Sequence, residues 1–196
     1  MITTPHTNTC NPDPVGSCDT MVSLGSASFG GNTIFAKNSD RPADEAQPLE
    51  LHPRQYHAAG SDAGCQFVSV PQVEVTYRHI GSRPYWCHGY EHGANEHQVV
   101  IGNEALPSKQ SSAAEPRLIG MELVRLGLER GATAREAVGV ITSLTSEFGQ
   151  GAFDNSEGIR TYDNAFIVAD PEEAYAVETI GHNWAVKALE ETASIS

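Results

Sequence analysis

The sequence is short of basic residues. Against 25 Asp and Glu stand 12 Lys and Arg, a formal charge of −13 over 196 residues. No Lys/Arg-rich block offers a nucleic acid or an anionic membrane surface an electrostatic footing, so neither is expected as a partner. No window approaches the ~18 consecutive apolar residues of a spanning helix. The opening stretch, MITTPHTNTCNPDPVGS, has neither the basic start nor the apolar run of a secretory signal. Cysteine is scarce and scattered: Cys10, Cys18, Cys65 and Cys87, with no C-x-x-C pair. A reduced, cytoplasmic location is expected, although four cysteines would allow two bridges. No internal repeat is visible. What is present is 39% apolar residues with a full set of turn formers, in a length that suits one packed domain.

Pro5, Pro12 and Pro14 make residues 1–17 a poor helix or strand, and a flexible leader is expected there. Strands then dominate as far as Ala105. Thr20–Leu24 and Thr33–Ala36 read as a hairpin, Cys65–Val70 and Val73–Ile80 as strands on either side of Pro71, and His97–Gly102 as a further strand. The period then changes. Pro116 suits the first residue of a helix that carries Leu118, Met121, Leu123, Val124, Leu126 and Leu128 and stops at Gly131. Thr133 with Glu136 forms a capping box for a second helix. Residues 152–162 read as a polar loop, Ala165–Ala169 and Ala174–Thr179 as strands, and Ala193–Ile195 as one more. The class is α+β, in layers.

Four places could carry chemistry. Cys18 opens a strand directly after the leader. Leader removal would give it both a thiol and an α-amine, whose pKa of about 7.7–8.0 suits it to accept the thiol proton. A small buried hydrophobe is the plain alternative. Lys37-Asn38-Ser39-Asp40-Arg41-Pro42 crowds polar groups at a strand end, where a carboxylate could hold an α-ammonium; a solvated turn reads equally well. His88, His92 and His97 with Glu91 and Glu96 resemble metal ligands, but the order is not H-E-x-x-H, and Gly89 and Gly93 argue against one helix presenting them. Asn103 ends the 97–102 strand, as an oxyanion donor or simply as a turn residue.

In order along the chain, Cys18-Asp19-Thr20-Met21-Val22, FAKNSDRP with Glu45 and Gln47, RPYW, GYEHGANEH, IGNEA, LIGMELVRLGLERG, EFGQG and NAFIVAD…EAYAVET resemble the secernin and dipeptidase-A type of cysteine peptidase. That family lies within the N-terminal nucleophile hydrolase superfamily. The resemblance implies a four-layer αββα sandwich, of which residues 18–196 hold the N-terminal half. It also implies a self-removed propeptide of residues 1–17, Cys18 as nucleophile, and thioester hydrolysis of amide bonds in dipeptides or small acyl-amides. No cofactor or metal enters this chemistry. Lys37-Asn38-Ser39-Asp40 is similar to an R-N-x-D segment of the bile-salt hydrolase and penicillin V acylase branch, which implies Asp40 beside the cysteine amine. Lysine stands there in place of arginine, which removes a bidentate fork. Asn103 is similar in position to that branch's oxyanion asparagine. Lys37, Asn38, Arg41, Trp86 and Glu91 are the expected substrate-binding residues. The expected partners are a small peptide or acyl-amide substrate, a second chain completing the domain, and further copies of the chain in a homo-oligomer. Two rivals are a metal-dependent hydrolase built on the histidine cluster and a non-catalytic binding protein that keeps its leader.

Overall fold

The computed structural model describes residues 18–42, 44–109, 113–155, 158–160 and 163–196. The expected leader, residues 1–17 with Cys10, lies outside them. Strands are numbered along the chain. A small antiparallel sheet is formed by β1 (Asp19–Ser23), β2 (Ile34–Asn38) and β17 (Thr192–Ile195), with β1 in the middle. The expected hairpin is its core, with Thr20 opposite Lys37 and Val22 opposite Phe35.

A larger sheet of seven strands runs in the order β16 (Asn183–Leu189), β15 (Ala174–Ile180), β14 (Asp163–Ala169), β10 (Val100–Leu106), β9 (His92–Asn95), β8 (His79–Ser82) and β3 (Leu49–His52). Short pairs lie beside it. They join β4 (Gln55–Tyr56) to β7 (Val75–Thr76) and β5 (Asp62–Gly64) to β6 (Ser69–Pro71). These replace the two longer strands expected around Pro71.

The larger sheet is covered on both faces, so β14 is buried along its whole length and alternates between two cores. Phe166 and Val168 join Ile101, Leu123 and Leu128 under the helices, while Ile167 and Ala169 pack with Val22 and Phe35 of the small sheet. Among the described residues both helices, α1 (Gly120–Arg130) and α2 (Ala134–Phe148), lie on the face away from the small sheet. Three of the four implied layers are thus in view.

Thr133 caps α2 as expected: its hydroxyl accepts the Glu136 N–H at 3.1 Å, and Glu136 takes the Ala132 N–H at 2.9 Å. Pro116 does not open α1. It ends β11 (Ala113–Pro116), which pairs with β12 (Gly151–Asn155), and β12 in turn pairs with β13 (Gly158–Arg160). The expected polar loop at 152–162 is therefore mostly strand. A partner far along the chain, β12, draws Pro116 into a strand, whereas β12 and β13 pair with each other within eight residues, Phe153 opposite Arg160 and Asn155 opposite Gly158. The strand expected at His97–Gly102 begins later. Gln98 adopts φ 64°, a left-handed turn, and the Asn95 side-chain oxygen takes the N–H groups of His97 and Val99. Asn103 consequently sits in the middle of β10, not at its end.

Helix α1 begins on a buried carboxylate. Glu122 accepts the Gln66 N–H and, at 3.3 Å, the Ile119 N–H. Burial pushes its pKa up to about 7, although those two N–H groups and Arg125 pull the other way. A folded-state pKa above the unfolded one confers stability below the unfolded value, near 4.5, that is lost as pH rises through 7. The unfolding free energy of wild type relative to Glu122→Gln is expected to fall by roughly 3 kcal/mol between pH 5 and pH 8. Urea titrations at the two pH values check this, and a constant difference between the proteins would refute it.

Candidate active site

The pleat of β1 and β2 assembles the site. Side chains alternate along a strand, so Cys18, Thr20 and Val22 share the face turned to the larger sheet, as do Phe35 and Lys37 opposite them. Cys18 stands at the mouth of this inter-sheet layer, half-buried. The chain after β2 folds across it: the Asp40 N–H donates to the Cys18 Sγ at 3.3 Å, and the thiol lies 3.8 Å from the Asp40 carbonyl oxygen. The antiparallel register, with Asp19 opposite Asn38, brings the two segments together.

Beneath the sulfur lies a buried ion pair. Lys37 Nζ is 2.9 Å from Glu104 Oε1, with side-chain exposures of 1% and 3%. The Thr20 hydroxyl donates to the same oxygen. Burial raises the Cys18 pKa above its ordinary value. Lys37 and the Asp40 N–H oppose that rise, whereas Glu91 and Glu104 add to it. Burial takes Cys65 and Cys87 up to about 12, and all three described cysteines are free thiols.

A second cluster stands beside the first. Arg41 binds Glu45 through two nitrogens at 2.8 and 2.9 Å, the Trp86 indole N–H donates to Glu45 at 2.9 Å, and Gln47 approaches at 3.3 Å. Burial works against the Glu45 charge, but these donors outweigh it and hold Glu45 below the usual carboxylate range. The Arg41 guanidinium also lies 3.6 Å from the Glu91 carboxylate. Burial raises the pKa of Glu91, against the pull of Arg41 and Lys37.

The expected site residues are thus only partly gathered. Cys18, Asp40 and Lys37 come together, and Arg41, Trp86 and Glu91 meet around Glu45. Asn38 sits on the opposite side of β2 from Lys37 and is exposed. Lys37 is committed to Glu104 in the interior, its side chain 1% exposed. Asn103 is turned to the helix side of β10, its amide 3.2 Å from that of Asn164, 3.3 Å from the Glu91 carboxylate and 3.7 Å from the Met121 sulfur. Its neighbour Glu104 takes the thiol side instead. Glu104 went unmarked in the sequence because a glutamate inside a strand signals nothing until the facing lysine is known.

The three histidines are dispersed. His92 has no hydrogen bond at Nδ1, with its pKa lowered by burial and by Lys37. His97 packs edge-on to Tyr77, and His88 lines a separate cavity of about 270 Å³ beside Arg125 and Glu122. Among the described residues no group of three or more His, Cys, Asp and Glu side chains is placed to hold a metal ion.

Similar proteins agree with this fold. Among solved structures, a variant of conjugated bile acid hydrolase from Clostridium perfringens matches 90% of this chain and 52% of its own, with a TM-score of 0.57 and 13% identity. Penicillin V acylase from Agrobacterium tumefaciens matches 87% and 49%, with a TM-score of 0.57 and 20% identity. At such identities the likeness shows the fold, that of the N-terminal nucleophile hydrolases. A dipeptidase of Bifidobacterium longum (strain NCC 2705) is 27% identical over an alignment 214 residues long, gaps included, that takes in 92% of this chain and 36% of the dipeptidase. The chain therefore spans about a third of that relative and half of the solved neighbours. The model of peptidase family C69 matches residues 17–194, from one residue before the half-buried thiol into β17, and the chain belongs to that family.

Proposed function

We propose that this chain carries the nucleophile of a cysteine-type amidohydrolase acting on dipeptides or small acyl-amides. The observation that supports it is the setting of Cys18. Its sulfur stands at the start of β1, within reach of one backbone N–H and above a buried ammonium–carboxylate pair.

Removal of residues 1–17 turns the Cys18 nitrogen into an α-amine with a pKa of about 7.7–8.0. A thiol whose own pKa is raised needs such a base beside it. The amine takes the thiol proton, and the sulfur attacks the substrate carbonyl carbon. The tetrahedral oxyanion is held by backbone N–H groups, and the C–N bond breaks as the amine returns its proton to the leaving nitrogen. Water then adds to the thioester, giving the free acid and restoring the thiol. In this reading Asp40 orients the amine, Arg41, Trp86 and Glu91 shape the adjoining pocket wall, and Asn103 steadies Glu91.

The test is the N-terminal mass of material that hydrolyses dipeptides. Cys18 is expected as its first residue. Active material with the Ser17–Cys18 peptide bond intact overturns the mechanism.

A further inference from the structure

Glu104 is an expensive residue to bury: a charge taken from water costs several kcal/mol unless its partners are well placed. Here the partners come from two strands of the other sheet. Lys37 on β2 and Thr20 on β1 lie directly opposite one another, and both donate to the single oxygen Oε1 of Glu104 on β10. Gly102, two residues earlier on the same face of β10, makes this approach feasible. A Cβ there would lie 3.0 Å from Phe35 Cζ and 3.2 Å from Thr20 Cγ2. The carboxylate therefore fastens the small sheet to the large one two residues beyond the nucleophile. Lysine alone is a point charge on a flexible four-carbon stem; held at 2.9 Å inside the protein, it cannot wander.

We propose that Glu104 is a positioning residue, whose carboxylate pins the Lys37 ammonium beside the Cys18 sulfur so that the cation stabilises the thiolate. This rests on the reaction above only in giving the thiolate a use. The thiol chemistry can be read without any substrate.

The experiment follows alkylation of Cys18 by iodoacetamide across pH 6 to 10, scored by peptide mass, in wild type, Lys37→Met, Glu104→Gln and the double variant. Alkylation reports the thiolate fraction, and Cys65 and Cys87, with pKa values of about 12, react later. Lys37→Met is expected to slow the reaction at pH 8 about tenfold, the equivalent of one pKa unit. In the Glu104→Gln background the same change is expected to cost less than about twofold, because the ammonium is no longer held in place. Equal losses in both backgrounds, or four superimposable pH profiles, overturn the proposal. If Lys37→Met fails to fold with Glu104 buried alone, Lys37→Gln keeps an amide donor for the carboxylate and completes the same cycle. A wild type that shows the coupling yet hydrolyses no dipeptide retires the proposed reaction and leaves this inference standing. Active protein with additive losses retires this inference alone.

Discussion

Cys18→Ala is expected to reduce dipeptide hydrolysis by on the order of 10⁴-fold or more, the scale of removing a covalent nucleophile. The loss should appear in kcat, because alanine at this half-buried position still fits the mouth of the inter-sheet layer and leaves the Lys37–Glu104 pair intact. Cys18→Ser is expected to be nearly as inactive, since a hydroxyl is a far weaker acid than a thiol and the same amine cannot ionise it as readily. Initial rates on a panel of dipeptides, with the melting temperature as a control for folding, decide the matter. Wild-type turnover by the alanine variant would remove Cys18 from the mechanism. The pH profile carries the same signature. A protonated amine cannot accept the thiol proton, so kcat/KM should fall below about pH 7.7.

Gly89→Ala is expected to be the most damaging substitution away from the nucleophile, destabilising the chain by about 3 kcal/mol. A Cβ at this position would stand 2.1 Å from the Met121 carbonyl carbon, 2.3 Å from its oxygen and 2.4 Å from the Glu122 nitrogen. All three are backbone atoms in the first turn of α1, which cannot step aside as a side chain can. Relief requires the 88–91 segment to lift away, stretching the 2.8 Å hydrogen bond from the Tyr90 N–H to the Met121 oxygen. It would also move Glu91 from Arg41. The urea midpoint measures the effect, and a midpoint equal to that of wild type would show that this contact has slack.

These residues show how unevenly the molecule can be read in one dimension. Thr133 and Glu136 announce α2 because a capping box is complete within four residues, and β1 with β2 is legible because a glycine-rich turn joins two apolar runs. Lys37, Asp40 and Arg41 could be picked out as a polar cluster at a strand end. Their division of labour could not, because β2 alternates between faces and the partner of Lys37, Glu104, lies 67 positions away on the other sheet. Asn103 and Glu104 are adjacent in sequence and share one short motif, yet β10 sends them to opposite faces of the sheet. The Gln98 turn, which starts that strand late, rests on a side-chain oxygen capturing two N–H groups.

Local chemistry, then, was enough to establish a layered α+β chain with a cysteine at the opening of a strand, because periodicity, turn formers and caps act over a few residues; only the family resemblance singled that cysteine out. Which side chains surround that sulfur was decided only by packing one sheet against another. A strand's two faces look alike until something covers them, and the lysine beneath the thiol acquired its carboxylate, and the arginine its buried neighbour, at that moment.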